Sequence, residues 1–175
     1  MIGKIEVPGC EEPSISRDGK YAYFPTLGVD FGAIPIHPKI VVIDTATHKI
    51  VKSVSQDTGL QSIYVTPNER IMVGKYYFDT SISGAPKLQR GKLAVYDAEM
   101  NAFLGKSEVE MLPLTIRSSF DGKIGFVANI GSGTVTLVDM ESMTVLKTLK
   151  VDDKPNPTTK ALQGAHGMVF FPGEV

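Results

Sequence analysis

Residues 120–149 read FDGKIGFVANIGSGTVTLVDMESMTVLKTL, and the fold is decided in this stretch. Short segments rich in β-branched and aromatic residues alternate with turn chemistry at Asp121-Gly122, Gly131-Ser132-Gly133 and Glu141-Ser142. Such runs, four to eight residues long and bounded by Gly, Asp and Ser, predict β-strands joined by tight turns. Two less regular copies lie upstream, and a fourth begins near the C-terminal end. A four-strand unit repeated along a chain predicts a radial β-array.

The first copy places strands at 14–16, 21–24, 40–43 and 50–54, with turns at Asp18-Gly19 and at Asp44-Thr45-Ala46-Thr47-His48. The second places them at 62–66, 71–77 and 93–96 and starts a fourth at Phe103-Leu104, with turns at Asn68-Glu69 and Asp97-Ala98-Glu99-Met100. The third places them at 114–118, 124–128, 135–138 and 145–149. The first turn recurs at 50 and 53 residues (Asp18, Asn68, Asp121), the second at 53 and 42 (Asp44, Asp97, Asp139). The unequal spacing comes from the loop between second and third strands, long in the first two copies and short in the third. Insertions confined to one loop are what a repeat with a fixed core tolerates. Helical periodicity of useful length is absent from the pattern, and residues 2–7 alternate as one further half-buried strand.

Bulk properties narrow the function. With 18 Lys and Arg against 19 Asp and Glu, the net charge of −1 argues against nucleic acid as a partner. It leaves room only for modest local basic patches. A single cysteine, Cys10, excludes an intrachain disulfide and a cysteine-rich metal site. No apolar run reaches the 18 or so residues of a membrane helix, and the first nine residues lack the apolar core of a signal peptide.

Asp18-Gly19-Lys20, Asp121-Gly122-Lys123, Phe126-Val127-Ala128-Asn129 and Val42-Ile43-Asp44-Thr45-Ala46-Thr47 together resemble the YVTN repeat of YncE-like β-propellers. Ala165-His166-Gly167-Met168 is similar to that family's Pro-His-Gly start of an innermost strand. The second copy departs from the pattern, with Asn68-Glu69 for Asp-Gly and Tyr96-Asp97 for Ile-Asp. The resemblance implies an all-β propeller of four-stranded antiparallel blades, here about three complete blades with single flanking strands. The expected division is an outer strand at 1–9, blades at 13–56, 60–109 and 113–152, and the start of a further blade at 164–175. It also implies a longer seven- or eight-bladed protein, exported to the periplasm or beyond in bacteria or archaea, that binds or scaffolds without catalysis. The alternative within the resemblance is a redox or hydrolytic propeller of the haem d1-binding or amine-dehydrogenase kind. The expected partner is a protein or a small molecule, together with the remaining blades.

Strand order puts the two inserted loops and the connections between blades on one face, so a site is expected there. Counting seven residues back from each first turn gives Glu11, Gln61, Leu114 and His166, the starts of innermost strands at the mouth of a central channel. Counting four back gives Ser14, Tyr64, Arg117 and Val169. An arginine inside an apolar strand needs a partner or water. The candidate ligand-binding residues are therefore Glu11, Gln61, Arg117 and His166, with Asn129 leading into the same face. Arg117 offers a planar cation suited to a carboxylate. Against ligand contact stands a solvated channel lining as the ordinary reading of these positions.

Haem at His166 is the one cofactor alternative, and no second ligand stands at metal spacing beside it. His37 and His48 belong to loop and turn. No CxxCH, HExxH, GxSxG or Walker motif occurs, and Gly131-Ser132-Gly133 is a turn without a following helix. Asp44, Asp97 and Asp139 recur one unit apart in equivalent turns, which assigns them to turn stabilisation and not to acid–base catalysis.

Overall fold

Alternation and turn chemistry produce three four-stranded antiparallel sheets in chain order. The structure is a computed structural model and describes residues 4–7, 11–27, 37–79, 87–154 and 166–169. The first sheet is β1 (Ser14–Ile15), β2 (Tyr21–Pro25), β3 (Lys39–Asp44) and β4 (Lys49–Ser55). The second opens with β5 (Leu60–Val65) and β6 (Ile71–Lys75); a small hairpin, β7 (Phe78–Asp79) and β8 (Lys87–Leu88), interrupts it before β9 (Arg90–Tyr96) and β10 (Phe103–Met111). The third is β11 (Pro113–Ser118), β12 (Ile124–Asn129), β13 (Thr134–Asp139) and β14 (Val145–Lys150). Each sheet runs as a simple meander, and no helix occurs among the described residues.

The first turn is built on the same oxygens three times, closing over five residues in the first and third copies and over four in the second. Ser16, Thr66 and Ser119 each donate a hydroxyl to the residue two further on: Asp18 (2.8 Å), Asn68 (2.6 Å) and Asp121 (2.7 Å). The same hydroxyl oxygens accept the N–H groups of Tyr21, Arg70 and Ile124. The residue after Asp or Asn takes the left-handed conformation: Gly19 at φ 73°, Glu69 at 61° and Gly122 at 71°. Glycine pays no Cβ penalty there and glutamate does, so the turn is held in the second copy in spite of its sequence. At the outer hairpins, Asp44, Asp97 and Asp139 cap the turn by accepting N–H groups from Thr47 (2.7 Å), Asn101 (2.7 Å) and Ser142 (2.8 Å).

Packing follows the two-residue period. In β6, Ile71 and Val73 face the first sheet with Leu60, Ile63, Ala94, Tyr23, Ile40 and Val42, while Met72 faces the third. Met72 joins Leu93, Val95 and Val109 against Ile116, Val127, Val138 and Met140. The second sheet is thus covered on both faces, at about 1.5–3 kcal/mol for each large side chain buried. Gly74 permits the close approach of the third sheet, since a Cβ there would lie 2.7 Å from the Pro113 carbonyl oxygen. Outermost β14 is exposed throughout, and β4 is mostly so.

First strands of successive sheets lie side by side. Residue 12 bridges Ser62 in the parallel sense, with Ile63 N–H donating to the Glu12 carbonyl at 3.1 Å. Three stacked sheets with their first strands adjacent are the geometry of propeller blades around an axis. The fourth strand of the second blade extends well past Phe103-Leu104, because Lys106 to Val109 continues the exposed–buried alternation. Outside the described residues lie most of the inserted loops, Cys10 and the bulk of the expected flanking strands. The described parts of those strands, 4–7 and 166–169, form no ladder.

Candidate functional site

The three inner strands β1, β5 and β11 bring together residues from all three blades. Arg117 on β11 donates through Nη2 to the Glu12 carboxylate at 3.0 Å, and through Nη1 to the Ile116 carbonyl at 2.7 Å. Its guanidinium carbon stands 5.4 Å from the centre of the Tyr64 ring on β5, within cation–π range. Glu12 and Arg117 border a groove of about 520 Å³ with Ser14, Tyr64, Ala22 and Phe24. Their side chains keep about a third of their surface exposed (33% and 29%), so the pair is half screened by solvent.

Glu12 Oε2, in the wall of this groove, is buried without a protein partner among the described residues; Gln61 Oε1 and Ser62 Oγ are unpaired in the same way on β5, but neither residue lines the groove. The Glu12 oxygen is an acceptor for a donor group that the described residues do not supply. Pairing with Glu12 also neutralises Arg117, which makes the groove suited to a polar molecule bearing N–H or O–H donors more than to a simple carboxylate.

The other sequence candidates fall at different places. Glu11 is exposed beside Glu12. His166 is exposed as well, and its carbonyl accepts the Thr115 hydroxyl at 2.6 Å, so this segment runs alongside β11. Asn129 is fully buried in the third sheet, where its amide donates to Thr136 (2.9 Å), Thr134 (3.2 Å) and the Val127 carbonyl (3.2 Å). It pairs with Pro113 at one end of the β11–β12 ladder, whereas Arg117 pairs with Phe126 towards the other.

Glu12 was missed by one position, and the signal for it was present. Side chains on one face of a strand recur every two residues, so a partner for the position four before the turn lies six before it, not seven. Among the described residues no three His, Cys, Asp or Glu side chains gather as a metal site, and no helix is long and apolar enough to cross a membrane.

No protein-family model matches the chain, and no curated protein matches it. Solved structures do. Over 85% of this chain it is similar to hydrazine synthase of Kuenenia stuttgartiensis, at TM-score 0.60 and 20% identity. Over 91% it is similar to a putative 6-phosphogluconolactonase from Bacteroides fragilis, at TM-score 0.62 and 16% identity. Over 85% it is similar to the β-propeller domain of Cps50 (Swd1) from Myceliophteria thermophila, at TM-score 0.53 and 13% identity. At such identities the likeness carries the fold alone: this chain is a partial β-propeller of three four-stranded blades. It spans 37%, 42% and 43% of the length of those three structures.

Proposed function

We propose that the chain is the three-blade portion of a non-catalytic binding propeller of the YVTN type, completed by further blades and serving outside the cytoplasm. The three Ser/Thr-x-Asp/Asn turns, each with the same hydroxyl-to-carboxylate or hydroxyl-to-amide bond, and the Asp-capped outer hairpins support the repeat type. Exposed apolar residues on the outer strands of the first and third blades, such as Val51 and Leu146, support the further blades. The groove at the inner strands is the proposed binding place, for a small polar molecule rich in hydrogen-bond donors.

One observation carries this reading: Glu12 Oε2, in the groove wall beside the Arg117–Tyr64 stack, is a buried acceptor without a protein partner among the described residues. The test is a thermal-shift and calorimetric screen of simple sugars and amino acids on the folded chain. A compound that binds should lose about tenfold in affinity with Glu12→Ala, which removes the unpaired carboxylate acceptor, on the scale of one charged hydrogen bond. Asp139→Asn, in a distant outer turn, should leave it unchanged. Equal affinity in both variants removes the groove from consideration.

A further inference from the structure

A second cavity lies between the first and second blades, on the face where β6 ends and the connection from β4 to β5 passes. Its volume is about 350 Å³, at the small end of ligand pockets. Lys75, Lys92 and Lys106 border it, with Asp57, Tyr77 and Tyr96. Lysine is almost never fully buried unless paired, and Lys75 is 8% exposed. Its Nζ meets Asp57 Oδ1 at 2.6 Å.

The ladder makes this arrangement costly. Lys75 and Lys92 are direct cross-strand partners on β6 and β9, and like charges directly opposite destabilise a sheet. Lys106 on β10 stands opposite Ala94, one same-face step along from Lys92. Glu108 stands opposite Lys92 but does not line the cavity, and its carboxylate turns to Arg90 (3.1 Å), which it shares with Glu110 (3.2 Å). Neither Lys92 nor Lys106 makes an ion pair among the described residues; Lys92 rests 4.7 Å above the Tyr77 ring. Among the residues lining the cavity, three ammonium groups therefore share it with one carboxylate, and the lining is net positive.

Tyr77 and Tyr96 form aromatic walls of the cavity. Burial, and then the nearby Asp57 carboxylate, pushes the Tyr77 phenol up to about 12, so it remains a neutral donor at physiological pH. Tyr96 donates its hydroxyl to Gln56 Oε1 at 3.1 Å and packs edge-on against Phe103, with ring centres 5.6 Å apart.

We propose that this cleft between blades binds a small phosphoryl-bearing anion, its dianionic group held by Lys92 and Lys106 over the Lys75–Asp57 pair and its body against the tyrosines. Charge supports the phosphoryl group over a monocarboxylate, since a phosphate monoester carries close to two negative charges at neutral pH. Lysine binds phosphate as a point charge, without requiring the planar fork of arginine. Free phosphate and a phosphate monoester share this chemistry.

The experiment is isothermal titration of the folded chain with phenyl phosphate, inorganic phosphate and benzoate at constant ionic strength. Phenyl phosphate should bind at one site per chain, weaken as salt rises, and bind more tightly than benzoate. Lys92→Gln and Lys106→Gln should each weaken it about tenfold or more. Both positions are partly or fully exposed, so the variants should fold, as circular dichroism would verify. Arg117→Ala should leave it unchanged, which separates this cleft from the inner-strand groove. Equal affinity for phenyl phosphate and inorganic phosphate would assign the site to the free ion. No saturable binding of either phosphate, equal binding of benzoate, or unchanged affinity in both lysine variants would overturn the proposal.

Discussion

Arg117 and Glu12 meet at 3.0 Å although 105 positions separate them in the chain. The bond joins the first blade to the third across the inner strand of the second, so it reports on the stacking of all three.

Removing one member should loosen that stack. Arg117→Ala should cost about 1–2 kcal/mol, the low end for a charged hydrogen bond because both groups keep solvent contact. A double-mutant cycle with Glu12→Gln should show a coupling of about 1 kcal/mol. Urea unfolding measures both, and additive single costs would show that the pair does not hold the blades.

The first turns predict two changes of opposite sign. Glu69 holds φ 61° where the other copies have glycine, and relief of left-handed strain should make Glu69→Gly more stable by about 1 kcal/mol. Gly122→Ala should be destabilising, because φ is 71° and a Cβ would lie 2.5 Å from Asn68 Oδ1 of the neighbouring blade. Melting temperatures should move in opposite directions.

Blade spacing gives a third prediction. Gly74→Ala forces a Cβ to within 2.7 Å of the backbone oxygen of Pro113 and 3.0 Å of Ser62 Oγ. The third blade must then move off the second, at a cost of about 1–3 kcal/mol. A variant as stable as the parent would mean that the two sheets are not in direct register.

Acid should weaken the turns. A hydrogen bond from Lys20 holds Asp18 down to about 2. The Thr47 N–H lowers Asp44, the Ser119 hydroxyl lowers Asp121, and the Ser142 N–H lowers Asp139. Folded values below the unfolded value of about 3.9 mean stability that is fully present above pH 4. It is lost as pH falls through the folded values, towards pH 2 for Asp18. Thermal melts from pH 7 to 2 should show this decline, and Asp139→Asn should flatten its acid limb.

Apolar residues on the outer strands predict association. Val51 is 54% exposed and Leu146 53%, each on the last strand of its blade. Unpaired outer edges with apolar side chains favour self-contact. Sedimentation should show concentration-dependent oligomers, and Val51→Lys with Leu146→Lys should reduce them.

Strands and turns were readable from the sequence because their causes are local. Asp121-Gly122 needs a left-handed residue after a capping oxygen, and TVTLVD alternates within six residues. Even the irregular second copy kept its turn, since Thr66 and Asn68 supply the same oxygens as serine and aspartate. The repeat then dictated blades, because a sheet with two apolar faces requires neighbours on both. What local pattern does not contain is the apposition of one blade against another. Glu12, not Glu11, faces Arg117 because inner strands align in one particular parallel register. Asn129 is held instead within its own sheet, turned inward to Thr134 and Thr136 at the end of the ladder away from Arg117. The lysine cleft escaped notice altogether: Lys75, Lys92 and Lys106 come from three strands and meet Asp57 of the connecting segment only once the sheets have stacked. Hydrogen bonds within a turn are written over five residues, whereas a site between blades is set by side-chain packing across the whole chain.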